Sequence, residues 1–178
     1  MSNLEKASHV CVILASILLS AVLFGKLLST HAAIDPGGGA LVDRKLAMLP
    51  EVHWHESERT ILLALSARCQ HCLNSAPFYR RLVAKIENSR SVRVLALFPE
   101  GDEEAKAFLE HAGINIPYIG SAPYAEIGIG GTPTILQTNS DGVVVREWQG
   151  ELTPWQQKKM LADATDSKWS LGHLLGGL

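Results

Sequence analysis

The run Thr60-Ile61-Leu62-Leu63-Ala64-Leu65-Ser66 constrains this chain most. Its apolar positions are nearly continuous rather than alternating, the pattern of a strand covered on both faces. A helical pattern follows, with Tyr79, Leu82, Val83 and Ile86 at i, i+3, i+4 and i+7. Val92-Arg93-Val94-Leu95-Ala96-Leu97-Phe98 reads as a second buried strand. A helix with Asp102 as N-cap comes next; its apolar face is Ala105, Phe108, Leu109 and Ala112, and Gly113 stops it.

After an irregular stretch, Thr134 to Thr138 reads as a strand, Asn139-Ser140-Asp141-Gly142 as a hairpin turn, and Val143 to Trp148 as the partner strand. Thr153-Pro154 reads as an N-cap and first helical residue, opening a last helix through about Ala164. The order β-α-β-α-β-β-α predicts an α/β fold with parallel pairing across the helices and an antiparallel final hairpin.

At 178 residues, 47% apolar and 19% charged, the chain is about one globular domain's worth. A net charge of −2 gives no reason to expect nucleic acid as a partner. Lys6 and Lys26 bracket a run without formal charge, residues 7–25. As a helix it is about 28 Å long, close to the roughly 30 Å of a hydrocarbon core. It has no amphipathic face, and it reads as an uncleaved signal anchor or a cleaved signal peptide. Cys11 lies inside it, as a small hydrophobe in lipid or an acylation site.

The expected organisation is therefore an anchor or signal segment over 1–28, and a linker with a possible first strand over 29–55. A folded domain over 56–165 and a tail over 166–178 complete it. Asp35-Pro36-Gly37-Gly38-Gly39 marks the linker. Residues 41–55 are ambiguous, with room for a short helix and an edge strand around Val52 to Trp54. On such a strand His53 and His55 would share one side, a possible metal pair or simply surface. The tail carries Trp169, Leu171, Leu174, Leu175 and Leu178. They are apolar for a terminus, and suit docking on the domain or contact with a membrane or partner.

The chemistry concentrates at Cys69-Gln70-His71-Cys72, between a buried strand and a helix. The first cysteine then sits at a helix N-terminus. Unpaired N–H groups and the helix dipole favour an anion there and lower a thiol's pKa. The second cysteine, one turn on, is spaced to attack a mixed disulfide. Haem attachment needs a histidine after the second cysteine, where Leu73 stands. With three cysteines in all, a four-cysteine zinc site is excluded. His53 and His55 precede the pair at the wrong spacing for a two-cysteine, two-histidine site. A structural disulfide and a two-thiol metal site remain as alternatives.

Gly130-Gly131-Thr132-Pro133-Thr134 forms a second constellation, with a proline at the head of a strand 64 residues after Cys69. Gly128–Gly131 is not a phosphate loop, because it lacks the Lys-Ser/Thr ending and opens no helix.

Together these residues carry a resemblance. The segment from about 56 to 165 resembles the thioredoxin fold, and within that superfamily the membrane-tethered, extracytoplasmic TlpA/ResA-type thiol–disulfide oxidoreductases. Strand Ile61–Ser66, the Cys69–Cys72 motif, Pro77, Tyr124–Thr134 and the hairpin Asn139–Trp148 ending at Gly150 carry it. The resemblance implies a central mixed sheet flanked by helices, preceded by one transmembrane helix. It implies a cis Pro133 packed on a redox-active Cys69–Cys72 disulfide, Thr132 binding substrate backbone, and a helix kinked at Pro77.

There are departures: Arg68 stands where the family usually has tryptophan, Ser75 where a glutamate is common, and Leu63 where cytoplasmic thioredoxins bury an aspartate. His71 resembles strongly oxidising thiol oxidases, in which such a histidine stabilises the nucleophile's thiolate.

The expected function is a single-pass thiol–disulfide oxidoreductase of the inner membrane, its catalytic domain in the periplasm or another extracytoplasmic space. Cys69 and Cys72 are catalytic; Arg68, Gln70 and His71 tune them; Thr132 and Pro133 bind substrate. No cofactor is needed, because the dithiol is the redox group. The partners are disulfide-containing protein substrates, a membrane or periplasmic thiol redox partner, and the membrane through residues 7–25, with no nucleic acid. The competing reading is a thioredoxin-fold module that holds copper or presents a surface without catalysis.

Overall fold

The computed structural model describes residues 39–49 and 51–164. The apolar run 7–25, the spacer at 35–38 and the tail 166–178 lie outside the described residues. Among those described, no helix is long and apolar enough to cross a membrane.

The anticipated buried strand is β1, Arg59–Ala64, with every residue buried. Its side chains alternate between two cores. Ile61 and Leu63 join one apolar cluster, Leu62 and Ala64 the other. Period-2 geometry requires this of a strand covered on both faces. Strands β2 (Val92–Leu97), β3 (Tyr118–Ile119), β4 (Thr134–Asn139) and β5 (Val144–Gln149) complete a sheet of order β3-β2-β1-β4-β5. β1, β2 and β3 run parallel, while β4 is antiparallel to both β1 and β5. The sheet is mixed, as the resemblance implied; the helix-linked β4 nonetheless joins its neighbour β1 antiparallel.

Four helices surround the first core: α1 (Gln70–Asn74), α2 (Ala76–Ile86), α3 (Asp102–Ala112) and, after the hairpin, α5 (Pro154–Asp163). Cys72, Phe78, Leu82, Phe108, Leu109 and Met160 supply their buried side. α1 and α2 are separated at Ser75, and Pro77 occupies the first turn of α2, where its missing N–H costs nothing. Gly101, not Asp102, is the N-cap of α3. Asp102 is its first helical residue, in an acidic first turn that complements the dipole. Gly113 ends α3 in the left-handed conformation at φ 65. α5 opens on Thr153 with a full capping box to Gln156.

The other face is covered differently. Leu41, Leu46, Leu49 and Val52 pack there, so the domain's core begins well before residue 56. Ala122, Ile127 and Ile129 join them, around the short helix α4 (Tyr124–Ile127), which along with β3 occupies the stretch expected to be irregular.

The expected edge strand at Val52 to Trp54 does not form. Trp54–Glu56 is a 3-10 turn, and among the described residues the ladder contact nearby is an isolated bridge from Lys45 to Val143. Arg93 holds this turn by donating to the His53 carbonyl at 2.7 Å and pairing with Glu56 at 2.7 Å. The two histidines therefore share no strand side. Among the described residues, no group of three or more His, Cys, Asp or Glu side chains is placed to hold a metal ion.

Candidate functional site

The site lies at the carboxyl end of β1. A loop leaves the strand and is held from below by Glu100: Ser66 Oγ donates to its Oε1 at 2.7 Å and the Ala67 amide to its Oε2 at 3.3 Å. The chain then enters α1 with Cys69 as N-cap residue, in extended conformation. Its sulfur accepts a hydrogen bond from the Cys72 amide at 3.1 Å. That first-turn amide also donates to the Cys69 carbonyl at 3.1 Å, so it is shared between the carbonyl and the sulfur, where it would favour a thiolate.

Cys69 and Cys72 are at disulfide-bonding distance, with Cα atoms 5.2 Å apart. Cys72 is fully buried while Cys69 is half-exposed. The asymmetry leaves one sulfur reachable from solvent and the other enclosed in the core.

Across from Cys69 lies the head of β4. The Thr132–Pro133 peptide is cis. The Thr132 carbonyl oxygen is 3.3 Å from the Cys69 sulfur, within reach of its S–H in the reduced form. The Pro133 carbonyl accepts from the Gly150 amide at 2.7 Å, which ties this loop to the end of β5. The two constellations separated by 64 residues in sequence thus meet at one sulfur.

The residues between and before the cysteines are all exposed. Gln70 donates from its amide to Asn74 Oδ1 at 3.0 Å. Arg68 lines an open, mainly apolar hollow of about 380 Å³ beside Cys69, shared with Leu73, Ala107 and Phe108 and rimmed by Glu104 and His111. His71 turns toward the loop after β5, where its Nδ1 lies 2.6 Å from Glu151 Oε1. Asn74 donates to the same oxygen at 3.0 Å. The His71 hydrogen bond first, and then that from Asn74, hold the Glu151 carboxyl below its usual range.

A buried phenol, Tyr79, and a partly buried one, Tyr124, flank the region. Burial pushes the Tyr79 hydroxyl well above the usual tyrosine value, against an opposing hydrogen bond with Ser75. The Tyr124 hydroxyl, raised chiefly by burial, lies against the Leu65 and Leu97 carbonyls where β1 and β2 end.

Sequence reasoning found the cysteines and the proline loop but missed Glu100 and Glu151. Glu100 lies 34 residues from Ser66, and Glu151 lies 80 from His71. No local spacing signals either contact. The only signal was topological, since both residues follow strand ends on the same edge of the sheet as the cysteines.

No protein-family model matches the chain, and no curated protein does. Solved structures do. A thiol:disulfide interchange protein from Bacteroides sp. superposes with TM-score 0.54 at 13% identity, over 68% of this chain and 83% of that one. The thioredoxin domain of a thiol-disulfide oxidoreductase from Bacteroides vulgatus gives TM-score 0.51 at 13% identity, over 64% and 82%. StoA from Bacillus subtilis gives 0.50 at 18%, over 60% and 82%. At such identities the likeness is one of fold, and the fold of this chain is thioredoxin-like.

Proposed function

We propose that this chain is a thiol–disulfide oxidoreductase that exchanges disulfides with protein substrates through Cys69 and Cys72. The observation that carries the reading is the asymmetric pair itself. A half-exposed sulfur lies at a helix start beside a cis-proline loop, at bonding distance from a buried one. The thioredoxin-like fold supports it.

In the reducing direction the Cys69 thiolate attacks one sulfur of a substrate disulfide. A Cys69–substrate bond forms, the substrate S–S bond breaks, and the leaving thiolate takes up a proton. Cys72 then loses its proton and attacks the Cys69 sulfur. The internal disulfide forms and the second substrate thiol departs, so the substrate gains two electrons and the dithiol loses two. Run backwards, the same steps donate a disulfide. The Cys72 amide favours the Cys69 thiolate, Thr132 and Pro133 line the bound substrate backbone, and Arg68, Gln70 and His71 tune the couple. The dithiol is the redox group and needs no cofactor.

The uncharged run 7–25 supports tethering in the inner membrane with the domain outside the cytosol. There disulfides persist, and a membrane or periplasmic thiol partner would recharge the pair.

A glutathione redox titration of the full-length chain in detergent micelles tests this, with the two thiols followed by alkylation and mass. A reversible internal couple is expected. A midpoint near or below about −250 mV marks a reductant, and one near about −120 mV an oxidant. If no Cys69–Cys72 disulfide forms at any poise, the reading fails and a copper-holding or surface-presenting module takes its place.

A further inference from the structure

The sequence pointed to His71 as an oxidising influence, because an imidazolium near the Cys69 thiolate stabilises the dithiol form. The structure gives that imidazole a partner. Its Nδ1 is 2.6 Å from Glu151 Oε1, and a carboxylate only accepts hydrogen bonds, so Nδ1 must carry the proton. Glu151 is held independently of His71, by Asn74 at 3.0 Å. Its loop is held too, since the Gly150 amide donates to the Pro133 carbonyl at 2.7 Å. The sulfur of Cys69 instead accepts from the Cys72 amide and lies 3.3 Å from the Thr132 carbonyl.

We propose that Glu151 is a positioning residue that biases the couple toward reduction of substrates, by engaging His71 and placing a negative charge at this rim of the site. The inference rests on the dithiol–disulfide reading above and gives it a direction.

Two effects act in the same sense. The carboxylate offsets the imidazolium charge that would stabilise a Cys69 thiolate, and its own charge disfavours a second anion nearby. Both weaken the dithiol form relative to the disulfide, which makes the dithiol the better electron donor. Other charged or titratable groups near the cysteines are Arg68, exposed ahead of Cys69, the buried Tyr79 phenol, Glu100 against the Ser66–Ala67 loop, and Glu104 and His111 at the hollow beside Cys69. Arg81 on α2 donates to Gln157 at 2.6 Å.

The test is the equilibrium constant for oxidation of glutathione by the Cys69–Cys72 disulfide, in the full-length chain in micelles. It is measured at pH 6, where an unpartnered imidazole is mostly protonated. Glu151→Gln should raise the constant about three- to tenfold, the larger figure being about 30 mV toward oxidising. Asn74→Ala, which removes the second anchor, should move it the same way by less. Adding His71→Ala to Glu151→Gln should cancel most of the rise.

A purely structural role for Glu151 would lower thermal stability and leave the constant where it was. An unchanged or lowered constant in Glu151→Gln overturns the proposal, as does a rise that survives His71→Ala in full. A reversible couple in every variant with unaltered constants sinks this inference alone; a native chain that forms no couple sinks the proposed function with it.

Discussion

The two faces of the sheet are closed by different means. One is covered by α1, α2, α3 and α5, whose apolar sides meet Ile61 and Leu63 of β1. The other is covered by chain with little regular structure, over 41–49, 52–54 and 122–129, which meets Leu62 and Ala64. The helical face is held by bulk apolar burial and carries Cys72 within it. The irregular face adds single polar contacts and close fits to its own buried apolar cluster. Arg93 grips the Trp54–Glu56 turn, the Tyr124 hydroxyl reaches the ends of β1 and β2, and the Trp54 ring lies against Gly142. A Cβ on Gly142, which has φ 77, would come within 2.8 Å of that ring. The comparison teaches that the cysteine pair is built into the helical layer, while the irregular layer closes the sheet.

Adjacent residues of β1 provide the largest test of that division. Leu62 and Leu63 are both fully buried and point to opposite cores. Truncation of either to alanine should cost about 2–5 kcal/mol in chemical denaturation. Only Leu63→Ala, in the cluster shared with Cys72, should also move the glutathione equilibrium of the cysteine pair. Equal movement by both variants would break the separation of the faces.

A smaller effect sharpens it. Tyr124→Phe removes the hydroxyl that lies on the Leu65 and Leu97 carbonyls and should cost about 1 kcal/mol by the same denaturation measurement. The redox equilibrium should hold, since the contact closes the irregular layer without touching either sulfur.

The same division separates what was legible in the sequence from what was not. On the helical face, the 3.6-residue spacing of Tyr79, Leu82 and Ile86 and of Ala105, Phe108 and Ala112 marks the helices in the sequence alone. The stop at Gly113 and the Thr153 cap were equally local. Leu41, Leu46, Leu49 and Val52 have neither strand nor helix period. Their burial comes from tertiary contacts, so the domain was expected to start too late. β3, two residues long, and α4, four, are too short for any period to show.

The site divides likewise. The cysteine pair and the Thr132-Pro133 turn were visible as motifs, whereas Glu100 and Glu151 reach the site only through the folding of distant loops.

The central claim is that Cys69 makes the bond to substrate and Cys72 breaks it. The most direct measurement is trapping by mass spectrometry of the full-length chain, mixed with a cystine-containing protein under non-reducing conditions. Cys72→Ser should accumulate a covalent mixed disulfide on Cys69, which the native chain resolves and Cys69→Ser does not form. Equal trapping on either cysteine, or none on Cys69, would contradict the account.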